Sequence, residues 1–304
     1  MIPRAVLVPL LGLVSLLFVS GCRTPGNAPL EPHLLGIRLP LEDARAENVL
    51  RRYLRLADSR TAMRGRARVA IEGPDFKLNR PQRVLVERPA RLRFEIIGLF
   101  DQIAAMLAVN GDRFGFYDAA AGRVTRGRVT PSLLWDLAKI DLEVPELVEL
   151  LLGAPRPAPG LARASAWLAP SGRMALVFAW PEGETSRGCR DARDGRFFDV
   201  DCFASDEALE EGGELFYFDP AGRLVEVRSL APRGRLRFWA TFEAYESLPG
   251  EGSDLEFPNR TTIHSPGGDT ESVARFVWKR VMLEDELSDR MFQIRLRPKA
   301  PSDG

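Results

Sequence analysis

In the stretch Arg91-Leu92-Arg93-Phe94-Glu95-Ile96-Ile97-Gly98-Leu99-Phe100-Asp101, apolar and charged side chains alternate until a glycine interrupts the run. A period of two puts Leu92, Phe94 and Ile96 on one face and Arg91, Arg93 and Glu95 on the other, the pattern of a half-buried antiparallel strand. The same alternation precedes it, with Ala67, Val69 and Ile71 set against Arg66, Arg68 and Glu72. Further strands are expected over 82–87, 102–110, 113–118 and 122–128, each bounded by glycine, proline or aspartate, with hairpin turns at Asn110-Gly111 and 120–122. Residues 155–160 read as a linker, and strands resume beyond it over 174–180, 215–218, 223–229, 235–245, 261–265 and 273–283, so one sheet is expected to continue. Asp219-Pro220-Ala221-Gly222 supplies a hairpin turn between two of these strands.

One helix precedes the strands and two interrupt them. Ala46, Val49, Leu50, Tyr53, Leu54 and Ala57 recur at helical spacing between residues 40 and 58, with Arg45, Glu47, Arg51, Arg52 and Arg55 elsewhere, which predicts an amphipathic helix lying on a core. Thr130-Pro131 is read as an N-cap and first helical position, followed by Leu133, Leu134, Leu137 and Ile140 on one face. Pro145 opens a third helix whose apolar residues run from Leu147 to Leu152, with Glu146 and Glu149 on its wet face and Gly153 ending it.

The first residues point outside the cytoplasm. Arg4 is followed by an uncharged, predominantly apolar run from Ala5 to Val19, shorter than a membrane-spanning helix needs, and the run ends in Val19-Ser20-Gly21-Cys22. Small residues closing on a cysteine resemble the lipobox of bacterial lipoproteins, so cleavage before Cys22 and attachment of diacylglycerol and an N-acyl chain to it are expected. Several chains on one residue give stable attachment where a single chain does not. This divides the chain into a signal peptide (1–21), a flexible tether (22–39), a domain over 40–298 and a tail (299–304). Arg23 follows the cysteine, and by the proteobacterial sorting rule a residue other than aspartate there directs a lipoprotein to the outer membrane. The expected location is the outer membrane, lipid-anchored and facing the periplasm.

Composition narrows the function. Lysine plus arginine and aspartate plus glutamate number 42 each, which leaves no global field to attract nucleic acid. Two histidines, His33 and His264, and the absence of nucleophile-elbow, zinc-protease, phosphate-loop and paired C-x-x-C motifs give catalysis little to work with, so no enzyme and no catalytic residue is expected. Cys189 and Cys202 are the other cysteines, and in an exported chain they are expected to form a disulfide that stabilises by about 3 kcal/mol in the chain-entropy picture. The aspartates between them lack EF-hand spacing, so no metal is assigned.

The order lipobox, helix, strand run, Arg91-to-Glu95 strand, Gly98-Leu99-Phe100-Asp101 turn, hairpins, two short helices and Leu151-Leu152-Gly153-Ala154-Pro155 resembles the LolB-like branch of the LolA/LolB lipoprotein-localization factors, most clearly over Thr61 to Pro155. The resemblance implies an incomplete, half-open antiparallel β-barrel covered by short helices, here with an insertion over about 182–213. It also implies an apolar cavity for lipid or for the acyl chains of client lipoproteins, a periplasmic carrier protein as partner, and no cofactor. In that family a turn carries a protruding leucine that touches the membrane, and the matching residue is Leu99, with Phe100 beside it. Two readings of this turn stay open: exposure to a membrane or client, or burial under the helices, which would gain roughly 1.5 to 3 kcal/mol per side chain. Two other functions also stay open, a structural or regulatory envelope lipoprotein that binds a protein partner, and a glycan enzyme built on a carboxylate pair.

Overall fold

The computed structural model describes residues 36–74, 76–98, 100–180, 212–232, 235–248, 255–267 and 270–294; Cys22, Leu99, Cys189 and Cys202 lie outside them. The chain runs β1 (Ile37–Leu39), α1 (Ala44–Asp58), then six strands: β2 (Ala62–Glu72), β3 (Lys77–Glu87), β4 (Arg91–Ile97), β5 (Ile103–Asn110), β6 (Arg113–Asp118) and β7 (Arg123–Arg128). Helices α2 (Leu133–Ala138) and α3 (Val144–Leu151) follow. Seven strands complete it: β8 (Ala162–Leu168), β9 (Met174–Ala179), β10 (Gly213–Phe218), β11 (Leu224–Leu230), β12 (Leu236–Ser247), β13 (Glu256–Gly267) and β14 (Thr270–Glu284), before a 3-10 turn at Asp289–Phe292.

All fourteen strands belong to one antiparallel sheet, in the order β1-β8-β9-β10-β11-β12-β13-β14-β2-β3-β4-β5-β6-β7. Two meanders, β2–β7 and β8–β14, are thus fused where β14 pairs with β2, from Val273 opposite Glu72 to Glu284 opposite Ala62. The edges β1 and β7 do not pair, so the barrel stays open as expected. Each edge is blunted in its own way: β1 has three residues, and β7 carries Arg123, Arg126 and Arg128, which discourages pairing with another chain.

Alternation along the strands sends one set of side chains toward the helices. Met63, Val69, Val84, Leu92, Val109, Phe178, Phe216, Phe238 and Phe276 join Ala46, Tyr53 and Ala57 of α1 and the buried residues of α2 and α3 in one core. Tyr53 meets Phe216 and Phe218 edge-on, at 6.0 and 5.1 Å between ring centres, and its hydroxyl donates to the Pro155 carbonyl. A smaller cluster, including Val177, Leu215, Tyr217 and Leu236, sits on the opposite face of β9 to β12.

Several boundaries differ from expectation. The tether stops short of Ile37, because Ile37–Leu39 pairs with Ala166–Leu168 and belongs to the sheet. Gly213, placed at the end of the insertion, is the first residue of β10. Thr130 is not the cap of α2: the Leu133 N–H donates to the Thr130 carbonyl (3.1 Å), so Thr130 and Pro131 make the turn that leads into a helix starting at Leu133. Lys139, in the left-handed region at φ 56°, ends α2 and leaves Ile140 buried in the following loop. Gly153 does end α3, at φ +70°, and a Cβ there would stand 2.8 Å from Pro258.

Two arginines hold the helices to the sheet by donating to carbonyls at or just beyond the helices' C-termini. Buried Arg60 donates through Nη1 to Leu152 at the end of α3 (3.2 Å) and through Nη2 to the Glu256 carbonyl; burial lowers its pKa to about 10, so it stays charged near neutrality. Arg88, just past β3, donates to the carbonyls of Ala57 in the last turn of α1, of Arg60 just after it and of Ala154 after α3, and with two nitrogens to Glu149 of α3 at 2.8 and 2.7 Å. Its side chain is 8% exposed and that of Glu149 18%. Removing one partner of such a pair leaves the other desolvated and poorly compensated. Arg88→Ala is therefore expected to lower stability by about 3 kcal/mol in urea unfolding, and a loss below about 1 kcal/mol would contradict the role given to this residue.

Candidate functional site

Between the sheet and α2 lies an apolar cavity of about 390 Å3. Its floor is the inner face of β2 to β6 together with β13 and β14, contributing among others Val69, Phe94, Leu107, Phe116, Ile263 and Phe276. Its roof is Leu134, Leu137 and Ala138 of α2, Ile140 and, from α3, Leu147. Three of the lining side chains, Ala105, Ala138 and Ala274, are small, which leaves room between the two layers, and the volume falls within the range of small-molecule sites. Gln82 and Asp118 are the polar members of the wall. The Asp118 carboxylate is already engaged, accepting from the Ala120 and Ala121 N–H groups at 2.9 and 3.2 Å. Phe76 and Leu137 line the cavity yet are 41% and 40% exposed, which marks the mouth.

The roof is anchored unevenly. α3 is tied by Arg88–Glu149 and by Arg237, whose two terminal nitrogens reach Glu146 at 2.7 and 3.0 Å. The loop before α3 is held by the Asp141 N–H donating to buried Ser265 Oγ (2.8 Å). Among the described residues, no side chain of α2 makes a hydrogen bond or ion pair to the sheet; Asp136 bonds Ser132 within its own turn. α2 therefore rests on apolar contact alone.

The turn between β4 and β5 is built by hydrogen bonds within itself. The Gly98 N–H donates to the Gln102 carbonyl (2.8 Å), the Phe100 N–H to the Gln102 side-chain oxygen (2.7 Å), and Arg83 pairs with Asp101 at 3.0 Å. Phe100, held by this frame, is 89% exposed. His264 lies on the other side of the sheet from the cavity, stacked on Trp239 at 4.4 Å with Nδ1 2.8 Å from Glu271.

Sequence reasoning overlooked Glu214. Its carboxyl sits on the inner face of β10 in a second space of about 400 Å3 beside α3, with Phe216, Phe238 and Pro159, and accepts from the Ala158 N–H at 3.0 Å. A glutamate flanked by glycine and leucine at a strand start carries no signal of burial. Desolvation raises its pKa from 4.5 to about 7, against the opposing pull of the Ala158 N–H. The folded protein therefore keeps this proton to higher pH than the unfolded chain. The resulting stability is complete below pH 4.5 and is lost as pH rises through about 7. Wild type should lose about 3 kcal/mol relative to Glu214→Gln between acidic and neutral pH in parallel urea titrations, and parallel curves for the two proteins would show that Glu214 does not titrate in this way.

No protein-family model matches the chain, and no curated protein matches it. Similar solved structures include a LolA superfamily protein from Nitrosomonas europaea, 13% identical, covering 80% of this chain and 97% of that one at a TM-score of 0.47. A domain from Vibrio parahaemolyticus described as an outer membrane lipoprotein-sorting protein is 11% identical over 81% of this chain and 94% of its own, also at 0.47. A DUF1329 family protein from Desulfovibrio piger is 12% identical, with coverage of 81% and 96% and a TM-score of 0.46.

Proposed function

We propose that this protein is an outer-membrane lipoprotein, anchored through Cys22 and facing the periplasm, that takes an acyl chain of a lipid or client lipoprotein into the cavity under α2 and carries out no covalent chemistry. The observation that carries the reading is the cavity itself: an apolar wall with a mouth formed by two half-exposed apolar side chains, Phe76 and Leu137. Each methylene moved from water into such a space contributes about 0.8 kcal/mol, so a chain of several carbons is enough for useful affinity. A roof element without polar ties can shift to admit it. A periplasmic carrier protein that hands over the chain is the partner this reading implies. Leu99 and Phe100 would then touch the membrane that receives the chain, with exposed Phe100 the member of the pair within the described residues.

Protein stripped of lipid should bind a fluorescent fatty acid. Leu137→Glu, at the mouth and already part-exposed, should weaken that binding about tenfold or more while shifting the melting temperature little. No fatty-acid binding by the wild type, together with no lipid in native mass spectra of protein purified from the envelope, would overturn the proposal in favour of a structural or regulatory lipoprotein.

Exposure of Phe100 generates a separate expectation. Phe100→Glu removes no core contact, so thermal unfolding should be nearly unchanged while sedimentation with neutral phosphatidylcholine vesicles falls. Equal sedimentation of the variant would remove the turn from the membrane contact.

A further inference from the structure

The face of the sheet turned away from the helices carries a groove of about 700 Å3 across β14, β2, β3 and β4. Six arginines line it, Arg64, Arg66, Arg83, Arg93, Arg280 and Arg290, against one carboxylate, Glu95, in a chain whose formal net charge is +0. Strand register sets three of them in a row. Arg280 stands opposite Arg66, and Arg66 opposite Arg83, on three adjacent strands. Like charges directly opposite each other destabilise a sheet, so this row works against the fold. Arg83 is relieved by Glu95 and Asp101, at 3.4 and 3.0 Å, and Arg64 by Glu284 at 2.7 Å. Among the described residues, Arg66 and Arg280 have no carboxylate partner, and both are exposed.

We propose that this row binds the phosphate groups of an anionic lipid surface. Guanidinium groups present paired N–H donors that match phosphate oxygens, and a row of them spaced by the strand separation meets several headgroups at once. Apolar Leu85, Met282 and Met291 lie in the same groove, which suits an amphiphile better than a bare ion. The Arg83–Asp101 pair also fixes the turn bearing exposed Phe100 beside the row, so an apolar point and a basic strip share one approach to a membrane. This assignment stands on the outer face and does not depend on what the inner cavity binds.

The test is sedimentation of the full chain with phosphatidylcholine vesicles with and without phosphatidylglycerol, comparing wild type with the double variant Arg66→Gln and Arg280→Gln. Adding the anionic lipid should raise wild-type partitioning by about tenfold or more, with the gain eroded by salt. The double variant should lose most of that gain, keep fatty-acid binding unchanged, and melt at the same temperature or higher because repulsion in the row is relieved. Equal wild-type binding to both vesicles, or full retention of the gain by the double variant, would overturn the proposal. Release by sodium phosphate where sodium chloride of equal ionic strength does nothing would replace it with a discrete free-phosphate site.

Discussion

The pairing of β14 with β2 is the constraint on which the architecture depends. Without it the chain would hold two separate meanders, each with a bare edge and an apolar face too narrow to enclose anything. With it, eleven register pairs, interrupted by a bulge between Trp278 and Arg280, join the two into one continuous wall. The cavity spans this seam: Val69 and Ile71 come from β2, and Ala274 and Phe276 from β14. Gly65, opposite Val281, belongs to the same seam, where a Cβ would stand 2.8 Å from the Arg280 carbonyl oxygen and 3.0 Å from the Trp278 ring. The two strands approach too closely there for a side chain on that residue.

An open barrel must close its inner face with something other than strands, and here helices do so under unequal restraint. α1 and α3 are fixed by charge-assisted bonds from Arg60 and Arg88 to helix-terminal carbonyls and, at α3, to Glu149. α2 covers the cavity by contact alone. Its contribution to the roof is a few apolar side chains, and Leu137 and Trp135 are partly in water already. The free-energy difference between a seated and a displaced α2 is then of the order of one or two buried side chains, an amount that an incoming acyl chain can replace. Helices tied by charged bonds on one side and a cover held by contact alone on the other are what the proposed entry of an acyl chain would require.

Much of this was legible in the sequence because alternation and helical spacing report local facing directly. Leu92 and Phe94 of β4 and the six apolar positions of α1 from Ala46 to Ala57 stand in the core as the spacing predicts, and Ile96 faces the cavity on the same side. β1 was not, since three residues offer no period to detect. β8 was missed too, because Arg163-Ala164-Ser165 blurs the alternation where its pairing with β9 shifts register. Arg88 and Glu149 stand 61 positions apart, and no local pattern announces that pair. The cavity was inferred from fold resemblance, but its walls depend on how far α2 stands from the sheet, a distance that no single segment encodes. Of the outer arginine row, the alternation identifies Arg66 alone as the polar member of a strand. Its meaning came only with register, which showed Arg280, Arg66 and Arg83 to be neighbours.

The proposed function requires an acyl chain to lie between α2 and the sheet. Photocrosslinking with a diazirine-bearing fatty acid, followed by peptide mapping, tests it most directly. The account predicts adducts on the cavity-lining segments of α2 and of β4 to β6, around Leu137, Phe94 and Phe116, diminished by excess unlabelled fatty acid. Competable adducts confined to the outer face, or none above background, would contradict it.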